Sequence, residues 1–152
     1  MNARYALFSA RDGYDDLALR LPASIIFIAH GGQKLFGWFG GYGLEGTAQW
    51  MASIGLEPGL LMATLAGSAE FFGGLLLLVG LLTRPAAMVL AVTMAVAIAT
   101  VHLSNGLFMS NNGFEFGLAL LGISAALALL GAGTLSLDRL MGHVDNANRA
   151  TR

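Results

Sequence analysis

Four apolar segments divide the chain: Leu17–Phe39, Leu60–Leu82, Pro85–His102 and Phe114–Leu130. A helix that spans a bilayer needs about 20 residues, with a range of about 17–25. The pattern therefore predicts helices over about 17–39, 60–82, 85–102 and 114–130. Only Thr83-Arg84 separates the second from the third, which forces a tight antiparallel hairpin. Pro85 suits a first helical turn, where its missing N–H is not needed. A Gly-rich connection, Gly40–Gly59, joins the first two segments. Within it, Thr47–Ile54 reads as a short interfacial helix with Trp50, Met51 and Ile54 on one side. Ser104–Gly113 is rich in Asn and Gly and reads as a loop, with Asn112 as the N-cap of the fourth helix. The expected fold is an all-α membrane protein, a four-transmembrane-helix antiparallel bundle with a short interfacial helix in the first outer loop. It forms one domain over 1–140, followed by a polar cytoplasmic tail, 141–152.

Composition points the same way. The 152 residues are 56% hydrophobic and 11% charged, with a mean hydropathy of +0.69, whereas a soluble domain carries roughly 25% charged residues. A net charge of -1 gives no pull towards nucleic acid. The absence of cysteine excludes disulfides, thiolate metal sites and a thiol relay within this chain. The first sixteen residues are polar, with Arg4, Arg11, Asp12, Asp15 and Asp16. A cleaved signal peptide places its apolar core sooner, so the first helix is expected to stay uncleaved. Arg4, Arg11 and Arg20 lie before or at the start of the first helix, Arg84 in the short turn, and Arg139, Arg149 and Arg152 in the tail. The two long connections hold no Lys or Arg. The positive-inside rule then places both termini in the cytoplasm and both long loops outside. Small residues are set for close helix packing in lipid: Ala87, Ala91, Ala95 and Ala99 in a row, Gly113 with Gly117, and Gly73-Gly74.

The candidate chemistry sits in the outer half of this arrangement. His30, Gln33 and Lys34 are spaced i, i+3, i+4 and share one helix face. Ionisable groups in a hydrocarbon layer are costly and mark function by default. At about 1.5 Å per residue, Glu70 falls roughly 15 Å below the start of the second helix, near the midplane. His30, Lys34, His102 and Glu115 fall in the outer half. Each has a plainer reading. Lys34 can snorkel to the interface, Glu115 can complement a helix dipole, and His102 can be an interfacial loop residue. Glu70 has the weakest such reading, because a carboxylate at that depth is protonated or paired; it is expected to face the bundle interior and pair with Lys34, the obvious cation, or with His30. Arg20 reads as a marker of the cytoplasmic start of the first helix. Phe36, Trp38, Phe39, Tyr42 and Trp50 read either as an interfacial aromatic belt or as the wall of a pocket for a planar ligand such as a quinone.

The ordered series Arg20-Leu21, His30-Gly-Gly-Gln-Lys-Leu-Phe-Gly37, Glu70-Phe-Phe-Gly-Gly74, Gly80-Leu-Leu-Thr-Arg84, Gly113-Phe-Glu115-Phe and Leu135-Ser-Leu-Asp138 resembles the DoxX family of small bacterial inner-membrane proteins. Gly131-Ala-Gly133-Thr departs from the family's Gly-Pro-Gly-basic pattern. The resemblance implies a four-helix bundle in the bacterial inner membrane. It also implies a link to redox chemistry, since relatives serve as the membrane subunit of a thiosulfate:quinone oxidoreductase, as partners in membrane oxidoreductase complexes, or in detoxification of quinones and catechols.

Three functions follow as expectations. In the first, the chain is a membrane subunit of an oxidoreductase system handling quinone, or another small redox-active hydrophobic molecule. Glu70, Lys34 and His30 are then the catalytic candidates, and Gln33, His102, Glu115, Trp38 and Phe36 contact the ligand. Lys34 and His30 would hold a quinone oxygen, while Glu70 and Glu115 would exchange protons. No flavin or dinucleotide motif is present, so electrons would come from a protein partner or another cofactor. In the second, the chain is a non-enzymatic carrier or assembly subunit, alone or as a homo-oligomer, with Lys34–Glu70 as a lock or gate. In the third, His30, His102, Glu70 and Glu115 ligate a metal or haem. No His-x-x-x-His spacing supports the third, and no metal ligands are assigned.

Overall fold

The computed structural model describes residues 14–142, with Asp15 by its backbone alone. Arg4, Arg11, Asp12, Arg149 and Arg152, which enter the orientation reading, lie outside those residues, as does the tail beyond 142. The described chain is helical, with no strand among the described residues. Its α-helices are α1 Asp15–Phe36, α2 Gly43–Ser53, α3 Gly59–Val79, α4 Thr83–Ala97 and α5 Glu115–Leu130. α4 runs on through a π-helical turn, Ile98–His102. A short helix also covers 137–142.

The helix ends differ from the apolar runs for local reasons. α1 stops at Phe36, not Phe39, because Gly37 turns left-handed at φ +72° and its N–H bonds back to Gly32 O. Gly80, at φ +68°, ends α3 the same way, three residues short of the apolar run's end. Glycine is the residue that takes this conformation without steric cost. α4 starts at Thr83, which leaves Pro85 in its first turn as expected. Asn112 is not the cap of α5. It sits left-handed at φ +58° in the preceding loop, and the N-cap is Phe114, with no side-chain bond. α2 begins earlier than Thr47 and turns Thr47 and Met51 inward, whereas Trp50 and Ile54 are each 40% exposed. It packs on α3 and on the end of α1.

α3 and the stretch Thr83–Asn105 are long and apolar enough to cross a membrane. α5 is apolar but has 16 residues. α1 has 22 residues, but Arg20, Ser24, His30, Gln33 and Lys34 dilute its apolar run.

α1 packs on α3, α3 on α4, α4 on α5, and α5 returns to α1, where the contact is the least extensive of the four. Neighbours run antiparallel. Gly31 lies opposite Phe71, Leu35 opposite Gly67, and Ile28 opposite Gly74. A Cβ on Gly31 would collide with the backbone of Phe71, and one on Gly74 with the backbone of Ile28. Two glycines thus set how closely α1 and α3 approach. Ala23, Phe27, Leu77, Ala87, Leu90, Leu120 and Leu127 fill the middle.

We call the end carrying Lys34 the upper end and the end carrying Arg20 the lower. The lower end is closed by polar groups. Arg20 is 2% exposed. Its guanidinium donates to Ala132 O and Leu135 O, both at 2.5 Å. Asp138 accepts from the N–H groups of Leu82 at 2.7 Å and Thr83 at 2.9 Å, while its own N–H donates to Gly80 O at 2.9 Å. α4 has no side-chain cap of its own. A carboxylate 55 residues further along the chain therefore satisfies its first orphan donors and opposes its dipole. Arg20 is thus more than a marker of a helix start. It ties α1 to the segment that caps α4.

Asp138→Ala is expected to lower stability by about 2–3 kcal/mol, the order for losing charged hydrogen bonds to buried donors. Asp138→Asn, which keeps one acceptor, is expected to lose less. Thermal unfolding in detergent, followed by circular dichroism, checks this. An alanine variant that melts with the wild type would refute the capping role.

Candidate functional site

Lys34 and Glu70 form the buried ion pair of the upper end. Lys34 Nζ lies 2.6 Å from Glu70 Oε2, with the side chains 24% and 4% exposed. The pairing expected from composition and depth is therefore seen, and Lys34 turns inward instead of snorkelling out. The register Gly31–Phe71 and Gly67–Leu35 sets Glu70 level with Gly32, about 6 Å below the last residue of α1. α3 rises past the end of α1, and its first turns pack on α2 instead. Gly59 lies against the Ala48 carbonyl. Thr47 Oγ1 donates to Lys34 O at 3.3 Å, which ties α2 over the pair.

His30 is one turn below Lys34, and its ring faces Phe116 of α5 with centroids 5.9 Å apart. It is exposed, and its ring nitrogens have no hydrogen-bond partner among the described residues. The Gln33 amide, half-buried, likewise makes no hydrogen bond among them.

The other expected site residues are placed elsewhere. At 100° per residue, Gly32 and Phe36 lie about 160° and 200° around α1 from Lys34. Trp38 covers Gly32 and meets Phe36 at a tilt with ring centroids 5.1 Å apart and Phe71 edge-to-face at 5.6 Å. Phe36 and Trp38 thus form an aromatic cluster on the flank of α1 away from the ion pair, not a wall around it. Phe39 and Tyr42 are exposed.

His102 and Glu115 are built into the α4–α5 connection. His102 Nδ1 lies 2.9 Å from Asn112 O, so that nitrogen carries the proton and donates it. Asn105 Nδ2 donates to the same carbonyl at 3.2 Å. Glu115 Oε1 accepts the Met109 N–H at 2.6 Å. Glu70 is paired with Lys34, His102 and Glu115 bond backbone groups, and His30 lies beside the ring of Phe116. No three of His, Cys, Asp and Glu are gathered for a metal among the described residues.

Chemically, the upper end offers a cation, a carboxylate and an imidazole within about one helical turn, in otherwise apolar surroundings. Sequence reasoning gave no linking role to Arg20, Thr83, Ser136 and Asp138, all buried at the lower end.

Residues 16–103 match the DoxX family. The chain is 40% identical over 122 residues to the "Putative oxidoreductase CatD" of Bacillus subtilis, covering 80% of this chain and 83% of that protein. It is 31% identical over 141 residues to the "Inner membrane protein YphA" of Escherichia coli, covering 90% and 96%. It is 32% identical over 125 residues to the "Inner membrane protein YqjF" of the same organism, covering 82% and 90%. No solved structure matches it.

Lys34→Met strands a buried carboxylate and is expected to cost up to about 3–5 kcal/mol. Glu70→Gln frees a lysine that can extend towards water, and is expected to cost less. The Lys34→Met/Glu70→Gln double variant is expected to melt above Lys34→Met alone in detergent. A double variant as unstable as the sum of the two single losses would show that the pair contributes no coupling.

Proposed function

The chain belongs to the DoxX family of membrane proteins, and from that premise we propose that it is a four-span subunit of an oxidoreductase system in the bacterial inner membrane. On this reading it handles a quinone or a related carbonyl-bearing ring at Lys34–Glu70. Both termini face the cytoplasm, one domain covers 1–140, and the upper end is the outer half. The arginine distribution and the names of the two E. coli relatives support this placement. The name of the B. subtilis relative supports the redox setting.

One observation carries the chemical part: a carboxylate 4% exposed and paired with a lysine at 2.6 Å, among apolar helices. A lone structural charge is rare in lipid, and a compensated pair is the usual form of a proton-handling site there. A ring carbonyl that displaces Glu70 from Lys34 gains the ammonium as donor. The ammonium stabilises the negative charge that reduction places on that oxygen. Glu70, released from its counter-ion in a poorly solvating site, takes up a proton and passes it on. A quinone leaving as quinol takes two electrons from a partner protein's redox group and two protons. Lys34 and Glu70 serve the end of the ring that they touch. Glu115, held by the Met109 N–H, has no part in this step.

Wild-type protein in lipid nanodiscs is expected to bind a decyl benzoquinone saturably, read by quenching of Trp38 and Trp50 fluorescence. Lys34→Met is expected to weaken binding at least tenfold. Glu70→Gln is expected to bind while failing to take up protons on quinone reduction by an added donor. Unsaturable quenching in the wild type would overturn the reading. Loss of a co-purifying complex in Glu70→Ala, with quinone binding intact, would point instead to an assembly subunit.

A further inference from the structure

We infer that the seam between α1 and α5 at the upper end is a lateral doorway to the Lys34–Glu70 pair. It admits a lipid-dissolved molecule with a carbonyl or hydroxyl oxygen, which His30 meets first by a hydrogen bond beside the ring of Phe116. This rests on the reading that the ion pair is a ligand site inside a bilayer.

Three independent features converge on this seam. His30 lies six residues before the end of α1, about 9 Å below it. An imidazole, unlike a lysine stem, is too short to reach water from there. It is nevertheless exposed, and its ring nitrogens have no hydrogen-bond partner among the described residues. A polar group left unpaired in hydrocarbon costs free energy, and a ligand oxygen arriving through lipid removes that cost.

The second feature is packing. Of the four contacts that close the helices on one another, α1–α5 is the least extensive. The α1–α3 contact beside it is locked at glycine distance. At its upper end the seam is lined by His30 and Phe116, whose tilted rings lie 5.9 Å apart.

The third feature is the covered top. α2 packs across α1 and α3, Thr47 bonds the Lys34 carbonyl, and Met51 is buried beneath. The direct route from the upper face therefore runs through packed residues, whereas the side route opens on lipid. On α1, His30 lies one turn below Lys34 and about 40° around the helix from it. A ring entering past Phe116 thus meets His30 before Lys34. His30 is a positioning residue at the mouth, and Lys34 and Glu70 remain the reacting groups.

The test uses the full chain in nanodiscs and a benzoquinone with a diazirine next to the ring on its decyl tail. After illumination, adducts are mapped by peptide mass spectrometry, with excess decyl benzoquinone as competitor. Competable adducts are expected within a turn of His30 on α1 and of Phe116 on α5. His30→Phe is expected to reduce them about tenfold, the loss of one hydrogen bond. Phe116→Ala is expected to reduce them while melting near the wild type. Seam adducts that do not respond to Lys34→Met would keep the doorway and remove the proposed function. Lys34-dependent adducts confined to α2 and residues 37–42 would keep the function and overturn the doorway. A second copy of the chain covering the seam would also overturn it, and would appear as inter-chain products across α1 and α5.

Discussion

Glu70 is a carboxylate kept from water by apolar helices, and the upper end is arranged around compensating it. The compensation works at 2.6 Å, between side chains of two helices that also pack closely. Gly31 and Gly74 provide that approach, since a Cβ at either would strike the facing backbone. The pair and the glycines form one device. The glycines set how closely the two helices pack, and Lys34 keeps the carboxylate between them from standing uncompensated.

The fold was largely legible as apolar runs. The helices lie where those runs lie, and two of their C-terminal ends fall short where a glycine takes a left-handed turn. Less legible was the offset between helices. Nothing in the chain says that α3 rises past α1 to hold α2, which sets Glu70 level with Gly32. The aromatic residues illustrate a different shortfall. Phe36 is two residues from Lys34, about 200° around a helix, so its flank could be read from spacing alone, and it argues against one shared pocket. Arg20 was read as a topological marker because its partners are carbonyls. Backbone acceptors at Ala132 and Leu135 leave no trace in residue identity.

His102 and Glu115 show why clustering by depth is weaker than clustering by contact. Both lie at the upper end. Each is consumed by an irregular connection whose backbone groups need partners: His102 by the Asn112 carbonyl, Glu115 by the Met109 N–H. In a chain with few polar residues, loop construction and chemistry compete for the same side chains. The loop claims those nearest to it in sequence. His30, Lys34 and Glu70 lie within regular helices whose backbone is already satisfied, so their side chains are free for other work.

The two ends of the α1–α5 seam differ in a way that bears on motion. At the lower end Arg20 fixes α1 to Ala132 and Leu135, just beyond α5, and Asp138 fixes the same segment to the first turn of α4. At the upper end the two helices meet through a ring pair with no hydrogen bond between His30 and Phe116. Charged hydrogen bonds to buried backbone groups are directional and short in range, whereas a ring contact tolerates sliding. α1 can therefore tilt away from α5 about its lower end more readily than it can separate there. Such a tilt would widen the seam beside His30 while the glycine contact with α3 held Lys34 on Glu70. The lower clamp, remote from Lys34 and Glu70, would confine any opening to the upper end.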